Sequence, residues 1–102
     1  DLMNTRFEDI LGWARDRNLI AGANPQAQML KGMEEFGEIA AAVARKNLDG
    51  VKDGIGDVVV VLTILAAQHG LHVEDCIEHA WHEIKHRKGR MQDGIFIKES
   101  DL

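Results

Sequence analysis

The chain has little cysteine, an excess of acids over bases and no long hydrophobic run. Its 102 residues include one cysteine, Cys76, which excludes an intramolecular disulfide and predicts a reducing, cytoplasmic setting. The net charge of −5 argues against a general affinity for nucleic acid. The longest apolar run, Val58 to Ala67, is too short to cross a bilayer, so no membrane partner is expected. The glycines also lack the spacing of a phosphate-binding P-loop.

The size of the chain predicts one domain, residues 1–102, that would be stabilised by association with other copies. A chain of this length fits a single domain but is only moderately able to bury a core. Association with other copies would help to cover the valine-rich segment at residues 58–61. We therefore expect a homo-oligomer.

Capping signals and hydrophobic periodicity predict helices in the first half of the chain. Thr5 begins a capping box that includes Glu8, and helical spacing predicts a first helix over residues 6–17. Asn24 followed by Pro25 is a strong helix start, which predicts a second helix over residues 25–46. Apolar residues at spacings of three and four give this helix one stripe, formed by Met29, Met33, Phe36, Ala40 and Val43.

The segment over residues 51–69 has the local propensity of a strand but is predicted to be a helix. Its four consecutive valines favour a strand. However, the apolar run continues into Ala66 and Ala67, its length is typical of a helix, and no comparable strand exists to pair with it. A turn is predicted before this helix, over residues 47–50, and Gly70 is its predicted C-cap.

A fourth helix is predicted over residues 73–88, with acids in its first turn and Gly89 as its stop signal. Its predicted buried stripe consists of Ile77, Ala80, Trp81 and Ile84. In the tail, Asp93 and Gly94 form a turn signal, and the segment Ile95–Lys98 is expected to be extended.

Two groups of acids lie on the second and third predicted helices: Glu34, Glu35 and Glu38, then Asp53 and Asp57. Residues three or four apart share a helix face, and helices joined by a short turn pack antiparallel, so the two groups should face each other. Acids are rarely buried unless they are paired or bind a cation. Oxygen-only ligands suit a hard cation, and the pattern predicts an Mg²⁺ site with Mn²⁺ as a substitute.

Each charged group also has a simpler interpretation. A run of acids on a helix is typical of a solvated face, and Asp53 alone fits an exposed residue near a helix start. The position of Asp57 directly before the valine block is what favours the metal site. A basic cluster near the C-terminus either binds phosphates or complements the helix dipole; it consists of Lys85, Arg87, Lys88 and Arg90.

At these residues the sequence resembles the MazG-like, all-α nucleoside triphosphate pyrophosphohydrolases, in particular the short single-domain members common in phages and mobile elements. Glu34, Glu35 and Glu38 match the family's first acid motif, and Asp57 matches the last acid of its second motif, Glu-x-x-Asp. The Glu of that second motif would fall at Gly54, and Asp53 is one residue earlier. The resemblance covers most of residues 25–100, including residues 55–66, 83–91 and 94–99.

The resemblance implies a four-helix, MazG-like bundle completed by oligomerisation, a dimer or a tetramer, with sites formed between chains. It also implies Mg²⁺-dependent hydrolysis of nucleoside triphosphates to monophosphate and pyrophosphate. Glu35, Glu38 and Asp57 are the implied metal ligands, with Asp53 as a substitute ligand and Glu34 as a ligand or water-orienting base. The implied substrate contacts are Gln28, Lys31, Lys85, Arg87, Lys88 and Arg90.

Two functions therefore remain open on the sequence. The first is an Mg²⁺-dependent nucleotide pyrophosphohydrolase that clears unwanted (deoxy)nucleoside triphosphates. The second is a non-enzymatic helical module for oligomerisation or regulation, whose acidic face binds a basic partner.

Overall fold

A computed structural model describes residues 5–102 of the chain. The described part is mostly helical, which confirms the predicted all-α class, and it ends in a short β-hairpin. The elements are α1 (Arg6–Asp16), α2 (Pro25–Ala44), α3 (Leu48–Gln68), α4 (Val73–Ile84), β1 (Gly89–Gln92), β2 (Ile95–Lys98) and a 3₁₀ turn (Glu99–Asp101).

The first two helices begin where their capping residues predict. The Thr5 hydroxyl accepts a hydrogen bond from the backbone N–H of Glu8 at 3.1 Å. The side chain of Asn24 accepts one from the N–H of Ala27 at 2.7 Å, and Pro25 occupies the first helical position. Each cap satisfies a donor that the first helical turn leaves unpaired.

The predicted turn at residues 47–50 is wrong, because α3 begins there. Asn47 is the N-cap of α3, and its side-chain oxygen accepts a hydrogen bond from the N–H of Gly50 at 3.1 Å. Asparagine is both a turn former and a good N-cap, so the same residue fits either structure. Gly70 ends the helix as predicted: its φ is +72°, and the N–H groups of Gly70 and Leu71 donate to the carbonyls of Ala67 and Ala66.

Helix α3 is the central element, and the valine block lies within it. It packs against α1, α2 and, less extensively, α4. Its buried side chains are Val58, Val61, Thr63, Ile64 and Ala66, and the other buried apolar residues are Leu11 and Ala14 of α1 and Ala42 of α2. The hydroxyl of Thr63 donates to the carbonyl of Val59 at 2.7 Å, so this buried polar group is satisfied within the helix. Contact with α3 thus forms the core of the chain.

Helices α2 and α3 run antiparallel and approach closely at two glycines. A Cβ atom added at Gly54 of α3 would lie 2.5 Å from Cγ1 of Ile39 on α2. A Cβ atom at Gly32 of α2 would lie 3.2 Å from Cγ1 of Val61 on α3. The Ile39 side chain therefore fills the space that a side chain at position 54 would need.

Helix α4 differs from its prediction in length and in burial. It ends at Ile84, four residues earlier than predicted, and Gly89 begins a strand instead of stopping the helix. Its apolar stripe is exposed: Ile77 and Trp81 are each 52 % exposed, and Ile84 is 47 % exposed. The physical reason is that α4 turns away from α3 by 104° after a four-residue connection, so it contacts α3 only to a small extent and most of its apolar face stays exposed.

The C-terminal hairpin confirms the predicted turn and extended segment. Strands β1 and β2 pair antiparallel with Gln92 opposite Ile95, which leaves a two-residue turn. Asp93 and Gly94 have φ values of +52° and +79°, the left-handed conformations that such a turn requires and that glycine adopts without strain.

Within residues 5–102, no single helix has both the length and the apolar composition needed to cross a membrane. Helices α3 and α4 reach that length and composition only when taken together across their bend.

The close approach of α2 and α3 predicts opposite effects for two neighbouring glycines. Gly54→Ala should lower the free energy of unfolding by about 1–3 kcal/mol, because its methyl group overlaps Ile39. Gly56→Ala should raise it by about 0.5–1 kcal/mol, because nothing lies near its Cβ position and alanine favours helix. Urea denaturation of both variants checks this, and equal effects would contradict the packing.

Candidate metal centre

A cleft of about 360 Å³ opens between α2 and α3, near the connection that joins them. Both helices contribute charged residues and small residues to its lining. The lining residues are Glu38, Ala41, Ala42, Arg45, Asn47, Gly50, Asp53, Gly54 and Asp57. Carboxylates from both helices therefore reach the same space, as the sequence predicts.

Three carboxylates form a compact cluster at one end of this cleft. Glu35, Glu38 and Asp57 each offer an oxygen, and these oxygens all lie within 4.8 Å of one another. The first two come from one face of α2, since they are three residues apart, and Asp57 comes from the facing side of α3. Three oxygens from two helices, with open space beside them, suit a hard divalent cation that keeps positions for other ligands.

Glu35 is the buried member of the cluster, and only one of its two carboxylate oxygens is paired. Its side chain is buried, with 5 % of the residue exposed. One carboxylate oxygen lies 3.2 Å from the Nζ atom of Lys31, while the other, Oε2, is buried without a hydrogen-bond partner. A buried, unpaired carboxylate oxygen is costly, and a cation bound between Glu35, Glu38 and Asp57 would pair it. The residues present thus fit a divalent metal ion.

The charges of the cluster act on each other. The negative charge of Glu35, the hydrogen bond that a protonated Glu38 can donate to it, and some loss of solvation raise the pKa of Glu38 above its ordinary value. The hydrogen bond and the charge of Glu35, with a smaller effect of Glu34, raise the pKa of Lys31. Repulsion among carboxylates and attraction to one lysine are both expected of a cluster with an excess of negative charge.

Two further acids from the sequence prediction lie near the cluster but outside it. Asp53 lines the same cleft, yet its carboxylate is not among the three that gather within 4.8 Å. Glu34 is exposed on α2, and its nearest charged partner is Lys31 at 3.8 Å. Position 54, where the family motif would place a glutamate, is closed by Ile39.

The remaining predicted residues are in other environments. Lys31 holds Glu35 and Glu34 in ion pairs. The amide of Gln28 donates to the carbonyl of Val61 on α3 at 3.4 Å, so it ties the two helices together. The C-terminal cations lie at the end of α4 and on the hairpin, and none of them lines the cleft of its own chain: Lys85, Arg87, Lys88 and Arg90. Arg87 and Lys88 instead line a separate pocket of about 330 Å³.

The sequence prediction missed Arg45, which lines the cleft at the end remote from Glu35. A cation at the C-terminal end of a helix also interacts favourably with the helix dipole, so its charge alone does not indicate a site. The signal that could have found it is spacing, because Arg45 follows Glu38 by seven residues, or two helical turns, and so shares its face.

The cluster predicts that Glu38→Gln stabilises the protein in the absence of divalent cations. The raised pKa means that ionised Glu38 opposes folding, so stability is lost as pH rises through that pKa, and a neutral amide removes the repulsion. The urea midpoint at pH 8 in chelator should rise for Glu38→Gln. The control Asp101→Asn removes the same charge from an exposed residue outside the cleft and should leave the midpoint unchanged. A midpoint lowered by Glu38→Gln would contradict the repulsion.

One similar protein comes from a bacteriophage. The "uncharacterized 18.2 kDa protein in rep-hol intergenic region" of Haemophilus phage HP1 (strain HP1c1) is 46 % identical over 72 residues. The aligned region covers 71 % of this chain and 43 % of the phage protein, so the chain spans less than half of that relative's length. No solved structure matches this chain significantly.

The family comparison covers the same part of the chain that builds the cleft. The profile described as "MazG nucleotide pyrophosphohydrolase domain" matches residues 23–91, more than half of the chain. The matched region contains α2, α3 and α4, and with them every carboxylate of the cluster. The chain therefore belongs to the MazG nucleotide pyrophosphohydrolase family.

Proposed function

We propose that this protein hydrolyses (deoxy)nucleoside triphosphates to a nucleoside monophosphate and pyrophosphate in an Mg²⁺-dependent reaction. The observation that carries the proposal is the cluster of Glu35, Glu38 and Asp57, with a buried and unpaired oxygen on Glu35. Family membership adds that the substrate is a nucleotide. Removal of unwanted nucleotides from the cell is the physiological role that we propose for such an activity.

The three clustered carboxylates would hold the cation, and Asp53 is the proposed fourth ligand because it lines the same cleft. When bound, Mg²⁺ supplies positive charge to the phosphates and lowers the pKa of a coordinated water. Lys31 pairs with Glu35 at 3.2 Å and fixes one of its oxygens. Glu34 is exposed beside the cluster, and its proposed role is to orient the attacking water or to accept its proton.

In the proposed reaction, a water oxygen attacks the α-phosphorus. The bond between that phosphorus and the oxygen leading to the β-phosphate breaks, and pyrophosphate leaves. The proton of the water passes to a carboxylate base at the cluster. Gln28 ties α2 to α3 beside the site and is retained as a proposed nucleotide contact.

The first test is a product assay with a panel of nucleoside and deoxynucleoside triphosphates and Mg²⁺. We expect monophosphate and pyrophosphate, and in ¹⁸O-labelled water the label should appear in the monophosphate. Glu38→Gln and Asp57→Asn should each lower turnover by about 100-fold or more, because each removes a ligand of the cation. Asp101→Asn is the matched control and should retain activity.

Two results of the same assay would contradict the proposal. Release of a nucleoside diphosphate and inorganic phosphate would instead indicate attack at the γ-phosphorus. Absence of turnover with every nucleotide, without a thermal shift on adding Mg²⁺ and nucleotide, would favour the non-enzymatic helical module.

We further propose that the active form is a homo-oligomer, a dimer or a tetramer. The accessible area of the chain is 7947 Å², whereas a compact monomer of 11.4 kDa exposes about 5,800 Å². The radius of gyration is 16.5 Å, compared with about 13 Å for a compact chain of this length. The excess area is comparable to what a stable interface buries. A second copy is also the proposed source of phosphate contacts from Lys85, Arg87, Lys88 and Arg90.

The apolar face of α4 offers a test of the oligomer. Trp81 is 52 % exposed on that face, so Trp81→Glu should shift the sedimentation coefficient of the protein towards that of a monomer. His79→Glu places a charge on the polar side of the same helix and should leave the oligomer intact. A wild-type protein that sediments as a monomer at micromolar concentration would refute the assembly.

A further inference from the structure

We infer that Arg45 binds the terminal phosphates of the nucleotide and thereby fixes the direction in which the substrate lies in the cleft. This inference rests on the proposed function, because it assigns one end of the cleft to one end of the substrate. It concerns a residue that forms no part of the carboxylate cluster.

The position of Arg45 follows from the geometry of α2. Arg45 and Glu38 line the same cleft, and they are seven residues apart. At a rise of about 1.5 Å per residue, their Cα atoms are about 10 Å apart along the helix axis. The cleft therefore has a carboxylate end at Glu35, Glu38 and Asp57 and a guanidinium end at Arg45. A phosphate chain anchored at the first end extends far enough to meet an arginine side chain at the second.

The charge of Arg45 is available for a ligand. Among residues 5–102, no carboxylate forms a salt bridge with its guanidinium. It is also the one cationic side chain that lines the described cleft, where the other charged groups are Glu38, Asp53 and Asp57. Lys31, the lysine beside the carboxylate cluster, is held by Glu35 and Glu34. An anion that enters the cleft thus meets one unpaired positive charge from this chain.

The backbone around Arg45 fixes the point from which its side chain extends. Its N–H donates to the carbonyl of Ala41 at 3.0 Å, which closes the last turn of α2. Two residues later, the side chain of Asn47 caps α3. The connection between the helices is only three residues long, Arg45 to Asn47, and hydrogen bonds fix both of its ends. The Cα atom of Arg45 therefore lies at a fixed distance from the helical residues that carry the carboxylate cluster.

The chemistry of the substrate selects the terminal phosphates as the group that Arg45 binds. They carry most of the negative charge of a nucleoside triphosphate, so they are repelled most by Glu38, Asp53 and Asp57 wherever no cation intervenes. A guanidinium offers a planar fork of donors that matches two phosphate oxygens. Negative charge also grows on pyrophosphate as its bond to the α-phosphorus breaks, so the same contact becomes stronger in the transition state.

The experiment uses the full-length protein with Arg45→Ala, Arg45→Lys and the control Lys52→Ala. Lys52 is an exposed cation on α3 that does not line the cleft, so its removal changes net charge equally. Calorimetry in Mg²⁺ measures the binding of inorganic pyrophosphate and, separately, of the monophosphate product. Electron paramagnetic resonance measures the binding of Mn²⁺ alone.

We expect Arg45→Ala to weaken pyrophosphate binding by about 10- to 100-fold, the loss typical of one charge-assisted contact. Binding of the monophosphate and of Mn²⁺ should be unchanged, and kcat/KM for the triphosphate should fall by a similar factor. Arg45→Lys should recover part of the pyrophosphate affinity, because it restores the charge without the fork. Lys52→Ala should behave as wild type.

Three results would overturn the inference, and each has a different meaning. If Arg45→Ala binds pyrophosphate as tightly as an active wild type, Arg45 makes no phosphate contact. If Arg45→Ala instead weakens the binding of the monophosphate, Arg45 lies at the nucleoside end of the cleft. If the wild type binds neither Mn²⁺ nor pyrophosphate and hydrolyses no nucleotide, the proposed function itself fails.

Discussion

The contact between α2 and α3 determines most of what the described chain can do. At Gly54 the two helices come so close that the side chain of Ile39 occupies the space of a missing Cβ atom. That approach brings Glu35 and Glu38 on one helix within reach of Asp57 on the other. The same contact leaves no room for a side chain at position 54, so this position cannot supply a ligand. Asp53, the neighbouring acid, remains at the edge of the cleft.

Burial of Glu35 fixes the orientation of its carboxylate but lowers the stability of the folded chain. A carboxylate that is 5 % exposed can be aimed accurately, because packing restricts its rotamers. It also requires positive charge, which the chain supplies only in part through Lys31 at 3.2 Å. The remaining oxygen has no partner, and the pKa of Glu38 is raised by the same negative charge. A site of this kind opposes folding until a cation binds, which is a common relation between stability and function.

The sequence correctly predicts the features that depend on residues close to one another along the chain. The caps at Thr5 and Asn24, the turn at Asp93 and Gly94, and the facing acids all follow from local chemistry or helical spacing. The predicted burial of Trp81 is wrong, because an apolar stripe shows which face of a helix is suited to packing but not whether the same chain covers that face. Arg45 was missed for a related reason: a cation at a helix end also has a local explanation.

The three-residue connection between α2 and α3 also bears on how the chain folds. Gly32 meets Val61, Ile39 meets Gly54, and the carboxylates of the cluster lie within 23 positions of one another along the sequence. Two helices joined by so short a connection meet quickly, since closing a short loop costs little entropy. We therefore expect this helical hairpin to be an early unit of folding, in which the three carboxylates are already brought together.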